Sequence, residues 1–216
     1  MKKIAIIGAG ISGLYIANLL EKENDFKYKI FEKRSKLDLE EGYGIQLSAN
    51  CIKLLNKIGF KNISVSDIFF PTKVNFFKSN NPNKICDIDL TQFNDDLNRY
   101  TTLKRSTLLK FLLENIPKDN IKFNTVLKHL DYSNTIKARF SDESEEHFDY
   151  IIIADGVFSQ SKSIISKETL KPKYNNSIAL RGKLNKYDDN NISIFMGSNF
   201  HYVIYPVNQN NEYNFV

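Results

Sequence analysis

Cysteine is scarce in this chain, with only Cys51 and Cys86 among 216 residues. The two match no metal-binding or redox spacing, so a disulfide-stapled scaffold is set aside and a reducing, cytoplasmic location is expected. The three histidines, His129, His147 and His201, are scattered, and no metal site is expected. No apolar run approaches the roughly 20 residues that cross a bilayer, so no transmembrane segment is expected. No block of like charge stands out. The net charge of +5 comes from lysines spread along the chain, which reads as a solvated surface and argues against a nucleic-acid partner. Internal repeats and low-complexity linkers are also absent. What remains is a chain 42% hydrophobic and 12% aromatic, enough for a core and one or two domains.

The strongest pattern lies at the start, KIAIIGAGISGLYIANLLEKENDFKYKIFEK from Lys3 to Lys33. The apolar run Ile4 to Ile7 predicts a strand. Gly8, Gly10 and Gly13 follow in the spacing G-x-G-x-x-G. Ile11, Leu14, Tyr15, Ala17 and Leu20 recur at helical steps, and Tyr28 to Phe31 predicts a second strand ending in Glu32. Each part has a physical role in holding a dinucleotide. Gly8 permits the tight turn, Gly10 lets a pyrophosphate approach the backbone, and Gly13 lets the helix pack on the strand. The first-turn N–H groups face the anion. Glu32 lies nineteen residues beyond Gly13, near the roughly 20 expected of an acid that accepts from ribose hydroxyls. As a strand-end carboxylate, Glu32 is expected to contribute little to folding. Met1-Lys2-Lys3 before an apolar run imitates a signal peptide. However, Glu21, Lys22 and Glu23 stand where a small-residue cleavage site is needed.

Further along, Gly42-Tyr43-Gly44-Ile45-Gln46-Leu47 leads into Ser48, a candidate N-cap. Ile52, Leu54, Leu55 and Ile58 then predict a helix ending before Gly59. Val74 to Phe76 and Ile85 to Leu90 read as strands, with a turn at Asn80-Asn81-Pro82-Asn83. Ser106 to Asn115 reads as a helix stopped by Pro117. Arg105 at its start opposes the helix dipole, which hints at an anionic partner. Ile121 to Leu130 and Thr135 to Phe140 read as strands around a Ser133-Asn134 turn, and Ser141 to Glu146 as a polar loop. Tyr150 to Ile153 is a continuous apolar run, expected as a parallel strand covered on both faces, ending in Ala154-Asp155-Gly156. Strands are expected at Ser177 to Lys183, Ile192 to Met196, His201 to Val207 and Tyr213 to Val216.

These residues resemble the FAD-dependent aromatic hydroxylases, the class A flavoprotein monooxygenases, and look most like salicylate-hydroxylase-like members. Five places carry the likeness: the glycine fingerprint with Glu32-Lys33; GYGIQLSAN from Gly42 to Asn50, similar to G-x-G-I-Q-L-S-P-N; Arg105-x-x-Leu108, similar to R-x-x-L; Ala154-Asp155-Gly156-Val157-Phe158-Ser159, similar to A-D-G-x-x-S; and HYVIYPVNQNNEYNFV from His201 to Val216, similar to H-x-x-x-Y-P-V and N-F-V strands. Ile153 replaces a usual glycine, Ala49 a proline and Lys162 an arginine, whose planar fork a lysine lacks.

The resemblance implies an α/β fold: a Rossmann-like FAD-binding domain of glutathione-reductase type with a β-sheet substrate domain inserted. Residues 1–67 and 101–170 would form the FAD-binding domain, and 68–100 with 171–216 a partial substrate domain. Glu32 would hold the adenosine ribose. Gln46 and Arg105 would lie on the flavin side, with Asp155 and Gly156 near the pyrophosphate and ribityl region. The implied cofactor-binding set is Gly8, Gly10, Ser12, Gly13, Glu32, Lys33, Gln46, Arg105, Val126, Asp155 and Gly156. The implied reaction uses NAD(P)H and O2 to hydroxylate a small aromatic or phenolic substrate. No catalytic residue is assigned; His201 and Tyr205 read mainly as packing. The family's later G-D motif does not follow Asp155-Gly156, so the chain is read as an N-terminal portion expected to bind FAD weakly and to support no hydroxylation alone. The alternatives are an NAD-dependent dehydrogenase, which shares the glycine fingerprint, and a non-catalytic nucleotide-binding remnant. Oligomeric state is left open.

Overall fold

The computed structural model describes residues 1–39, 43–132 and 135–216. Gly42 and the Ser133-Asn134 turn lie outside them. Two compact units are present, Met1–Asp38 with Leu112–Asn176, and Leu39–Phe111 with Ser177–Val216.

The first unit is α/β. Its four-stranded sheet is parallel throughout, in the order Tyr150–Ile153, Lys2–Ile7, Phe26–Phe31, Ile121–Lys122. Lys2–Ile7 is central because its run from Ile4 to Ile7 is buried on both faces. The helix Ile11–Leu20 links it to Phe26–Phe31 and buries Gly13, Leu14, Ala17 and Asn18. The apolar pattern anticipates Leu14 and Ala17. It does not anticipate Asn18, whose amide donates to the carbonyls of Leu14 (2.8 Å) and Leu112 (2.6 Å). Burial of that amide is tolerated because both of its hydrogens are used.

Three expectations for this unit change. Tyr150–Ile153 is an edge strand, half-buried and with Tyr150 53% exposed, rather than covered on both faces. Residues 121–130 form two strands, because Asn124 adopts φ +53° and breaks the run. Ile121–Lys122 joins the parallel sheet, while Leu127–Asp131 pairs with Ile136–Phe140, and that strand with Glu145–Phe148, in an antiparallel sheet. The loop expected at Ser141 to Glu146 is correspondingly shorter. The two sheets share a core in which Phe31 stacks on Phe140 at 4.0 Å and meets Phe148 edge-on at 5.9 Å. Truncating a fully buried ring such as Phe140 to alanine costs about 3–5 kcal/mol.

The second unit is β-rich. Six strands run in the order Gly182–Leu184, Tyr213–Phe215, His201–Pro206, Ile192–Met196, Lys73–Lys78, Asn81–Asp89. All neighbours are antiparallel except Ile192–Met196 with Lys73–Lys78. A smaller antiparallel sheet joins Gly44–Leu47, Thr101–Lys104 and Ile68–Phe69. Helix Ala49–Asn56 begins after Ser48 as the sequence predicts. The serine hydroxyl bonds Asn50 rather than capping the helix. Gly59 follows with φ +98°. Of the strand expected at Ser177 to Lys183, only Gly182–Leu184 forms.

Candidate functional site

The parallel sheet brings three sequence motifs to one end. Hydrogen bonding continues past the strands: Ala154 N–H donates to Ile7 C=O (2.8 Å), Gly8 N–H to Phe31 C=O (2.8 Å) and Glu32 N–H to Lys122 C=O (2.9 Å). Gly8, Glu32 and Asp155 therefore follow the carboxyl ends of three adjacent strands, where open α/β sheets receive ligands.

The glycines divide by what a side chain would meet. Gly8 has φ +106°, and a Cβ there would lie 2.5 Å from Ala154 O. A Cβ on Gly13 would lie 2.0 Å from Gly8 O. Both are fixed by the protein's own packing. A Cβ on Gly10 would meet nothing within 4 Å, and neither would one on Gly156, which has φ +80°. These two face open space that an extended ligand can fill. Gly10 is also the N-cap of helix Ile11–Leu20, with no capping side chain and no acid in the first turn. The N–H groups of Ile11, Ser12 and Gly13 thus lack intrahelical acceptors and carry the positive end of the dipole. Ser12 is exposed in that turn.

Glu32 is only 7% exposed. Its Oε2 accepts from Ala9 N–H at 2.8 Å and its Oε1 from Arg34 N–H at 3.0 Å. The expectation that it contributes little to folding is corrected: it is a buried acceptor tying the glycine turn to the next strand. Lys33 beside it is exposed. Asp155 Oδ2 accepts from Ser161 N–H at 3.2 Å. Its Oδ1 is buried with no partner among the described residues, an orphaned acceptor. Val126 is half-buried. Its N–H donates to Ser141 Oγ (3.0 Å) and its C=O accepts from Ser141 N–H (2.8 Å).

Gln46 and Arg105 belong to the second unit. Gln46 Oε1 accepts from the Tyr100 hydroxyl at 2.8 Å. Arg105 opens helix Arg105–Glu114, and its N–H donates to Tyr43 C=O at 2.8 Å. Sequence reasoning missed Tyr100, which meets Gln46 across 54 positions with no local signal. Among the described residues no group of His, Cys, Asp or Glu is arranged to hold a metal, and no helix is long and apolar enough to cross a membrane.

The fold is a Rossmann-like α/β unit accompanied by a β-rich one. The model of the NAD(P)-binding Rossmann-like domain matches residues 6–38. The chain is similar to Monooxygenase asqM of Emericella nidulans, 29% identical over 181 residues, covering 76% of this chain and 40% of that protein. It is also similar to 3-amino-4-hydroxybenzoate 2-monooxygenase of Streptomyces cremeus, 23% identical over 217 residues, covering 95% and 53%. The Klebsiella pneumoniae HpxO structure with FAD and uric acid superposes with a TM-score of 0.85 at 19% identity, covering 99% of this chain and 55% of that one. The chain therefore resembles FAD-dependent monooxygenases in sequence and shares their fold, and it spans about half the length of the relatives it matches.

Proposed function

We propose that this chain is part of an FAD-dependent monooxygenase acting on a small aromatic or phenolic molecule, with NAD(P)H as reductant and O2 as co-substrate. The observation that carries this reading is the buried, unpartnered Oδ1 of Asp155, in a motif that follows the same sheet end as the open Gly10 and the ribose-type acid Glu32. A plain NAD-dependent dehydrogenase needs the glycine turn and the acid but not the Asp155-Gly156 element. Similarity to monooxygenases, one acting on an aminohydroxybenzoate by name, supports the same choice.

In this reading the first-turn N–H groups of Ile11–Leu20 hold the pyrophosphate, with Gly10 and Ser12 beside it. Glu32 accepts from the adenosine ribose next to Lys33 and Val126. Asp155 and Gly156 take the following part of the cofactor. Gln46 and Arg105 are assigned to the flavin by motif match. Bound flavin would supply the redox and oxygen chemistry, and the protein's part is to bind, orient and exclude water. We keep 1–67 with 101–170 as the FAD-binding part and 68–100 with 171–216 as the substrate-facing part.

Thermal unfolding with FAD, FMN or NAD tests the assignment. A ligand bound only by the folded state stabilises it by mass action, roughly 2.7 kcal/mol at 100 times its Kd. FAD is expected to raise Tm more than either other nucleotide. A rise with NAD and none with FAD would refute the reading in favour of a dehydrogenase.

A further inference from the structure

In the six-stranded sheet, strand Tyr213–Phe215 lies between Gly182–Leu184 and His201–Pro206 and stops short of the latter. Phe215 stands opposite Gly182 on one side and Ile204 on the other. The ladder runs one step further, to Val216, which exchanges both main-chain bonds with Val203 (2.9 and 3.0 Å). Hydrogen-bonded and non-hydrogen-bonded pairs alternate along an antiparallel ladder. The N–H and C=O of His201, two residues before Val203, therefore point to the line that Tyr213–Phe215 follows. On the other side Leu180, two residues before Gly182, is due to pair across the same line. Residues 178–181 form no strand there, although the sequence predicts one.

The side chains along this line share one face. Phe77 stacks on Phe195 at 5.0 Å and Phe195 on Tyr202 at 4.5 Å, a row of rings across three adjacent strands. Side chains two apart on a strand point the same way. Carried through the register, Leu180 falls at the level of Tyr202 on that face, and Ile178 at the level of Phe200. Leu180, Ile178 and Phe200 are 76%, 81% and 59% exposed. The apolar row thus breaks at one strand position and resumes beyond it. Apolar side chains on either side, and main-chain groups aimed between them, specify an extended strand rather than a helix or a small molecule. The exposed His201 marks the level of a side chain on the opposite, polar face. About half of each matched relative lies outside the part this chain covers, so proteins of this fold carry further polypeptide.

We propose that this place takes a β-strand in line with Tyr213–Phe215, carried by polypeptide that runs on from Val216, with apolar side chains at its first and third positions and a polar one between. The first residue pairs with Leu180, the second with His201 and the third with Ile178. Residues 178–181 become a strand as they pair, and Leu180 and Ile178 are buried against the incoming side chains.

The test compares the 216-residue chain with two forms extended after Val216. One carries isoleucine-threonine-isoleucine-threonine and the other threonine-isoleucine-threonine-isoleucine. The two have the same composition, but a shift of one residue turns every side chain to the other face. The first extension is expected to raise Tm by at least about 2–4 °C and to slow amide exchange at Leu180 and His201 at least about tenfold. The second should do neither to the same degree. Leu180→Asp should leave the Tm of the unextended chain unchanged, because that side chain is exposed, and should remove the gain from the first extension. Equal effects of the two extensions, unaltered exchange at Leu180 and His201, or a gain that survives Leu180→Asp would each overturn the proposal.

Discussion

Glu32 Oε2 and the Ala9 main-chain N–H lie 2.8 Å apart in a hydrogen bond, so the acid that we propose for a ribose also fastens the glycine turn. Replacing Glu32 with alanine leaves two main-chain donors, those of Ala9 and Arg34, without their acceptor. Hydrogen bonds to a charged group contribute about 1.5–3 kcal/mol. Glu32→Ala is therefore expected to lower unfolding free energy by about 2 kcal/mol without any ligand, and Glu32→Gln by less. Urea denaturation of the ligand-free variants measures this. An unchanged midpoint for Glu32→Ala would show that the bond contributes nothing in solution.

Gly13 and Gly10 should respond oppositely to the same methyl group. A Cβ on Gly13 collides with Gly8 O at 2.0 Å, and forced overpacking costs about 1–3 kcal/mol or more. A Cβ on Gly10 touches no protein atom within 4 Å, so Gly10→Ala should cost no more than about 1 kcal/mol, the N-cap penalty. Thermal melts of the two variants check the contrast. Equal destabilisation would mean that Gly10 is fixed by folding rather than by a ligand.

Asp155 should trade stability for binding. Its Oδ1 is buried without a partner, which costs the ligand-free protein desolvation energy of about 1–3 kcal/mol. Asp155→Ala gives up the 3.2 Å bond from Ser161 N–H but removes that cost. We expect ligand-free stability to stay the same or rise while FAD affinity falls. Loss of several kcal/mol in the ligand-free variant would make Asp155 a structural residue instead.

Acid sensitivity of the second unit should pass through Asp189. Burial alone would raise its pKa, but hydrogen bonds from Asn191, Ser193 and Asn75 outweigh it and hold the carboxyl below its ordinary 3.8. A folded-state pKa lowered in this way gives stability that is complete above the unfolded value and is lost as pH falls through the folded one. Wild type should therefore lose stability below pH 3.8 more steeply than Asp189→Asn. Urea midpoints followed from neutral to acid pH give both slopes; parallel curves would exclude Asp189 as a contributor.

The parallel half of the fold was legible because its signals are local. Gly8, Gly10 and Gly13 stand in a fixed spacing, and the apolar run Ile4 to Ile7 just before them reads as a strand. The same local reading failed at Asn124, whose φ of +53° splits one predicted strand between two sheets, and at Tyr150, where an apolar run lies on an edge. Neither outcome is written in periodicity, because each depends on which neighbour the strand meets. Beside the glycine turn, Glu32 was singled out by its distance from Gly13. Its bond to Ala9, like that of Tyr100 to Gln46, arises only when the chain closes on itself.

Calorimetric titration of FAD into wild type and Gly10→Ala, with NAD as the comparison ligand, tests the central claim most directly. The account predicts that FAD binds wild type in preference to NAD and that the single methyl of Gly10→Ala lowers FAD affinity at least about tenfold while the protein stays folded, because a tight backbone approach is lost. Equal FAD affinity in the two proteins, or binding of NAD alone, would contradict it.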